Sequence, residues 1–192
     1  MPSVALERMN DFIGNNAKAI LLTVYGNRAY DDTLIELSDF LNNKDFCCIA
    51  AIAAVAEHSI MHQFATGRPY ESDKKELEGF AQKIAEKINN TAHFTALNLP
   101  GNHPYRKYSG VPLKPKADKN CTDCGVCAKL CPVGAISIEN TKKTDKNLCI
   151  SCMRCIKVCP SHSRKISSLM LKIASKKMEA ACQSKKENEL FI

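Results

Sequence analysis

Eight of the chain's 11 cysteines fall between Cys121 and Cys159, in a string that is written twice. Cys121, Cys124, Cys127 and Cys131 precede Pro132, and Cys149, Cys152, Cys155 and Cys159 precede Pro160. Both halves therefore read C-x2-C-x2-C-x3-C-P. Three thiolates spaced two residues apart on a tight loop can wrap three corners of a cubane [4Fe–4S] cluster. The fourth, three residues further on at the start of a helix, points away from its own loop and reaches the cluster of the other half. The expected ligand sets are Cys121, Cys124, Cys127 and Cys159 for cluster 1, and Cys131, Cys149, Cys152 and Cys155 for cluster 2. Pro132 and Pro160 fix the backbone just past each crossing cysteine. Gly125 lets the first loop approach its cluster closely. Met153 holds the matching place in the second loop, so a different hydrogen-bond pattern or exposure is expected there.

Other uses of the same cysteines fit the spacing less well. Structural zinc sites present paired C-x2-C ligands rather than two triplets with a crossing fourth. A thioredoxin-type redox site needs one C-x-x-C, not four overlapping ones. Cys47, Cys48 and Cys182 have no partners at ligand spacing and read as buried or incidental thiols. His58 and His62, four apart, have no third ligand nearby and read as ordinary.

Composition agrees with thiolate ligation. The 192 residues, 24% charged and 45% hydrophobic, are those of a soluble globular protein. An odd cysteine count without an export signal argues against a disulfide scaffold. The longest uncharged apolar run, Phe46 to Ala56, is too short to cross a bilayer. Glu7, Arg8 and Asp11 interrupt the stretch where a signal peptide would be apolar, so a cytoplasmic location is expected. The formal charge of +7 is uneven: residues 1–113 carry −2 and residues 114–192 carry +9. Two oxidised clusters with their thiolates would remove about four units, so much of the basic excess balances buried negative charge. With no aromatic–basic interleaving, nucleic acid is not an expected partner.

The elements that must position the cysteines divide the chain in two. Residues 1–97 read as helices alternating with short apolar strands: Val4 to Ile13 helical, Ala19 to Val24 a strand buried on both faces, a helix opened by Asp31 and Asp32, Phe46 to Val55 a second buried strand whose alanine content also allows a helix, and a helix capped by Ser72 or Asp73. That alternation implies an α/β domain with parallel strands. Four prolines and two glycines make residues 98–116 an extended Pro-rich linker. Residues 117–165 form the cysteine-rich α+β module. Residues 166–192 read as a basic C-terminal helix, with Ile166, Leu169, Met170 and Ile173 at helical spacing, fading into a polar tail.

With these motifs placed, the chain resembles a bacterial-type 2[4Fe–4S] ferredoxin fused behind a flavodoxin-like domain, from about residue 2 to 165. The duplicated cysteine run carries most of the resemblance. The stretch from Val24 to Asp32, the string Ala56-Glu57-His58-Ser59-Ile60 and the linker around Pro100-Gly101-Asn102 add to it. The resemblance implies that Tyr25, Gly26, Asn27 and Arg28 form a flavin-side loop and that FMN is a cofactor. A flavodoxin-like domain also supplies a Thr/Ser-Gly-rich loop to cradle the FMN phosphate, and this sequence has none. Only the last two strands of the order 2-1-3-4-5 are recognisable. The expectation is a partial flavodoxin-like domain, truncated at its N-terminus, with FMN doubtful. The leading functional expectation is an electron carrier that relays single electrons through two clusters and needs no catalytic residue. The alternatives are a flavin-dependent oxidoreductase, or a subunit of one, whose ferredoxin module feeds an FMN site, and a structural metal-binding interaction module. The expected partner is a redox protein, with self-association through the incomplete sheet as a further possibility and no membrane span.

Overall fold

A computed structural model describes residues 1–192, which fall into two compact units. The first comprises Met1–His58, His62–Tyr108 and Ala181–Ile192, and the second Ser59–Met61 and Ser109–Ala180.

In the first unit, α1 (Ser3–Met9) and β1 (Lys18–Tyr25) lead into α2 (Thr33–Asn42), β2 (Cys47–Val55) and α3 (Glu71–Asn90). β1 and β2 pair in parallel, as the strand–helix alternation requires, with an irregularity between Ala19 and Ile20. β2 is central and buried along most of its length, because its run of alanines lets chain on both sides approach closely. Leu21 of β1 and Leu34 of α2 centre the core with Cys48, Ala51 and Ala53 of β2.

Several features of the first unit differ from expectation. α1 stops at Met9 and leaves Phe12 and Ile13 exposed. α3 begins at Glu71, so neither Ser72 nor Asp73 is its cap; Asp73 lies in the first turn and accepts the Tyr70 N–H. β1 is buried on one face only: Leu21 and Thr23 point inward, while Ile20, Leu22 and Val24 are 50–60% exposed. The tail is not a polar fade-out, for Glu189–Phe191 forms a strand antiparallel to β2. A local period cannot reveal such a pairing, because it depends on chain folding back from far away in sequence.

The tail is held by polar side chains. The Val55 N–H donates to Asn188 Oδ1 at 2.9 Å. Buried Arg68 grips Asp73 with Nε and Nη2 and donates Nη1 to the Lys186 carbonyl. Residues 98–108, expected as part of a free linker, are strapped to α2: the Asn102 and Arg106 N–H groups donate to the Asp32 carboxylate, and Tyr105 Oη donates to Asp39. The boundary between the units lies at Tyr108–Ser109.

In the second unit, β3 (Lys116–Ala117) pairs antiparallel with β4 (Arg164–Lys165). Two one-turn helices, α4 (Val126–Lys129) and α5 (Arg154–Lys157), carry the third cysteine of each string, so Cys131 and Cys159 lie just past a helix end and not at a helix start as expected: the left-handed Gly125 and Met153 start each helix before its third cysteine. The long α6 (Ser168–Cys182) then carries the chain back to the first unit. No helix is long and apolar enough to cross a membrane.

Candidate metal centre

The duplicated string folds as a duplicated structure. Positions 28 residues apart share unusual backbone geometry: Asp123 and Ser151 (φ 58° and 55°), Gly125 and Met153 (φ 76° and 60°), Gly134 and His162 (φ 63° and 49°). These left-handed residues turn each loop sharply, so that its cysteines line one cavity and a one-turn helix can start. Met153 adopts the conformation of its glycine counterpart instead of departing from it. A Cβ on Gly125 would come within 2.7 Å of the Ile138 methyl.

The loops enclose two cavities. One is lined by Cys121, Cys124, Cys127 and Cys159, with Thr141, Ser163 and Arg164 among its walls. The other is lined by Cys131, Cys149, Cys152 and Cys155, with Pro115, Ile136 and Met153. Each set is thus a loop triplet plus the fourth cysteine of the other half, the grouping expected from the spacing. The space enclosed between the side chains is small, ≈ 10 Å³ in the first cavity and ≈ 20 Å³ in the second. No three His, Cys, Asp or Glu side chains converge as they would on a single ion.

Donors are already aimed at the crossing cysteines. The Ala135 N–H donates to Cys131 Sγ at 3.2 Å. At the equivalent place, burial opposes ionisation of Cys159, but the hydroxyls of Ser163 and Ser161 and the backbone N–H groups of Arg164 and Ser163 outweigh it and lower its thiol to about 6. Cys155 has no such donors, and burial pushes it up to about 11 despite the pull of Arg164. Hydrogen bonds to sulfur stabilise a thiolate and, through it, a reduced cluster.

Arg164 is the residue that sequence reasoning missed. It is 1% exposed, donates Nη1 to Thr144 Oγ1 at 2.7 Å and Nη2 to the Thr141 carbonyl, and leaves Nε buried without a partner. No carboxylate pairs with it. A buried, uncompensated guanidinium costs several kcal/mol, so this wall of the cavity calls for a negative charge. An iron–sulfur core with four thiolates, at about −2, supplies one. The 28-residue repeat carried the signal, because Arg164 stands where the first half has the buried, apolar Ile136.

Tyr25, Gly26, Asn27 and Arg28 lie together at the end of β1, where they hold the chain's own residues. Tyr25 meets Tyr30 edge-on with ring centroids 5.2 Å apart. Gly26 lies against His58, and Arg28 pairs with Asp31. Asn27 is buried, donates to the carbonyls of Cys182 and Ser184 at 2.8 and 3.0 Å, and accepts the Lys186 N–H. His58 and His62 are not on a helix, and His62 faces Glu57. Cys48 and Cys182 are buried thiols whose pKa burial raises.

Residues 120–163 match the family of 4Fe-4S dicluster domains. A comparison with curated proteins returned no match. The family match supports a ferredoxin-like, 4Fe–4S-binding module at the cysteine loops, and with it iron–sulfur electron transfer as the general function of that segment.

Proposed function

We propose that the second unit holds two [4Fe–4S] clusters, ligated by Cys121, Cys124, Cys127 and Cys159 and by Cys131, Cys149, Cys152 and Cys155, and passes single electrons between a donor and an acceptor protein. The observation that carries this reading is the pair of cavities, each lined by one loop triplet and the crossing cysteine of the other half. When bound, such clusters supply one-electron redox chemistry at low potential. The chain's own residues position the thiolates through left-handed loop residues, donate N–H groups to the crossing sulfurs and place the Arg164 cation in the wall. No catalytic side chain is needed.

Iron and sulfide analysis of anaerobically purified protein tests the reading, with about eight of each expected per chain. Zinc in their place would overturn it and favour the structural-module alternative. The flavoenzyme alternative requires FMN. Asn27 of the Tyr25–Arg28 loop already binds the tail, and this sequence has no Thr/Ser-Gly-rich phosphate loop, so weak FMN binding or none is expected. Stoichiometric FMN in a monomer would reverse that expectation.

The same reading includes a cytoplasmic redox partner and self-association of the first unit. β1 is an edge strand with Ile20, Leu22 and Val24 exposed on one face, and its only pairing partner in the sheet is β2. Such an edge is a template for another chain. Antiparallel β1–β1 pairing centred on Leu22 would set Ile20 of one copy against Val24 of the other, an apolar cross-strand match on the exposed face.

A further inference from the structure

The second unit carries a groove that the cluster reading does not use. Its volume is ≈ 450 Å³, its floor is Pro112, Leu113, Ala117 and Ile166, and Lys114, Lys116, Lys146 and Lys165 stand around it. Asp118 is its single carboxylate, and it is paired with Lys165 at 2.8 Å. The lining is mainly apolar. At one end Met170 of α6 lines the groove, and with Leu169 and Ile173 it leaves a 45–67% exposed apolar strip. Residues 109–180 as a whole carry 14 basic and five acidic side chains.

The groove lies one strand away from a cluster cavity. Pro115 is buried in the wall of the cavity with Cys131, Cys149, Cys152 and Cys155, while its neighbours Lys114 and Lys116 line the groove. Lys114 Nζ also donates to the Cys149 carbonyl. Short paths of this kind are where an electron leaves a protein. An apolar floor within a lysine rim fits a partner surface that is apolar at its centre and acidic at its edge.

We propose that this groove is the docking surface for an acidic redox protein, and that the electron leaves through the cluster held by Cys131, Cys149, Cys152 and Cys155. The proposal rests on the two-cluster reading. Charge complementarity selects the occupant: Lys116, Lys146 and Lys165 are exposed at the rim, Lys114 is held to the Cys149 carbonyl, and the one carboxylate is neutralised by Lys165, so an acidic surface is attracted and a basic one repelled.

The test uses reduced holoprotein, its cluster content first confirmed by iron analysis and electron paramagnetic resonance. Two one-electron acceptors are mixed with it in stopped flow: an acidic rubredoxin and a basic cytochrome c. The rate constant with rubredoxin is expected to fall about tenfold between 20 and 300 mM NaCl as the charges are screened. Lys116→Glu combined with Lys146→Glu should slow rubredoxin about tenfold at low salt and speed cytochrome c. Lys142→Glu combined with Lys143→Glu, the same charge change outside the groove, should alter the rubredoxin rate less than twofold. Equal effects of the two double variants, or an unchanged rate in the groove variant, would overturn the docking surface while leaving the clusters intact. Stronger retention of the holoprotein on anionic phospholipid vesicles than on the rubredoxin would assign the strip to a membrane surface and overturn it as well. Missing clusters would instead defeat the reading on which the proposal stands.

Discussion

Replacing Arg164 by Met should lower the reduction potential of the cluster in the Cys121–Cys124–Cys127–Cys159 cavity. The side chain is 1% exposed, lines that cavity, and has no carboxylate partner, so its charge acts on the thiolate sets with little screening. For unit charges on the order of 7 Å apart at an effective dielectric near 20, the interaction is about 2 kcal/mol. One-electron reduction adds one negative charge to the core, and about 1.4 kcal/mol corresponds to 59 mV. The expected shift is therefore about −80 mV or somewhat more. Arg164 also pulls down the Cys155 thiol electrostatically, so the cluster proposed there should shift in the same direction. Arg164→Lys keeps the charge but loses the two-pronged hold on Thr144 and Thr141, so it should recover most of the potential. Protein-film voltammetry on both variants, with iron content measured in parallel, reads this directly. Full cluster occupancy with both potentials within about 20 mV of the wild type would refute the charge argument.

Cys131→Ala should remove the cluster held by Cys149, Cys152 and Cys155 and spare the nearer triplet; selective loss of the Cys121–Cys124–Cys127 signal in paramagnetic resonance would show that the crossing scheme is wrong. Gly125→Ala must both strain a φ of +76° and push Ile138 aside, so cluster 1 should be recovered at reduced occupancy, whereas Met153→Gly should leave cluster 2 loaded. Asp73→Asn leaves the Arg68 guanidinium buried without its anion and should cost about 3–5 kcal/mol in chemical denaturation of the apoprotein's first unit. Hydrogen bonds from Arg68 hold the Asp73 carboxyl below its ordinary pKa. Its stabilisation is therefore present above the unfolded-state value near 3.9 and lost as pH falls through the lower folded value, so circular dichroism should show less acid sensitivity below about pH 4 in Asp73→Asn. Leu22→Glu on β1 should convert a self-associated species to monomer in sedimentation analysis, and a wild-type chain already monomeric at tens of micromolar would count against the sheet-edge interface.

By itself the sequence determined what depends on local spacing. The C-x2-C-x2-C-x3-C-P repeat specified which cysteines share a cavity, because two-residue spacers leave little freedom in a tight loop and the proline-followed cysteine can only point across. The parallel pairing of β1 and β2 was legible from apolar runs separated by helix-length segments. Tertiary structure decided what depends on chain returning from a distance. Glu189–Phe191 became a strand because β2 offered an edge and Asn188, Arg68 and Asn27 fixed the tail beside it, and that same tail occupies the amide of Asn27 in the loop expected to face a flavin. Ile20, Leu22 and Val24 are exposed although their run reads as buried, since a strand's apolar content cannot say whether anything covers its second face. Arg164 looked like one more basic residue in a basic segment. Only packing could show that it is enclosed beside the cysteines with no carboxylate partner, because burial is a property of non-local contacts and not of composition.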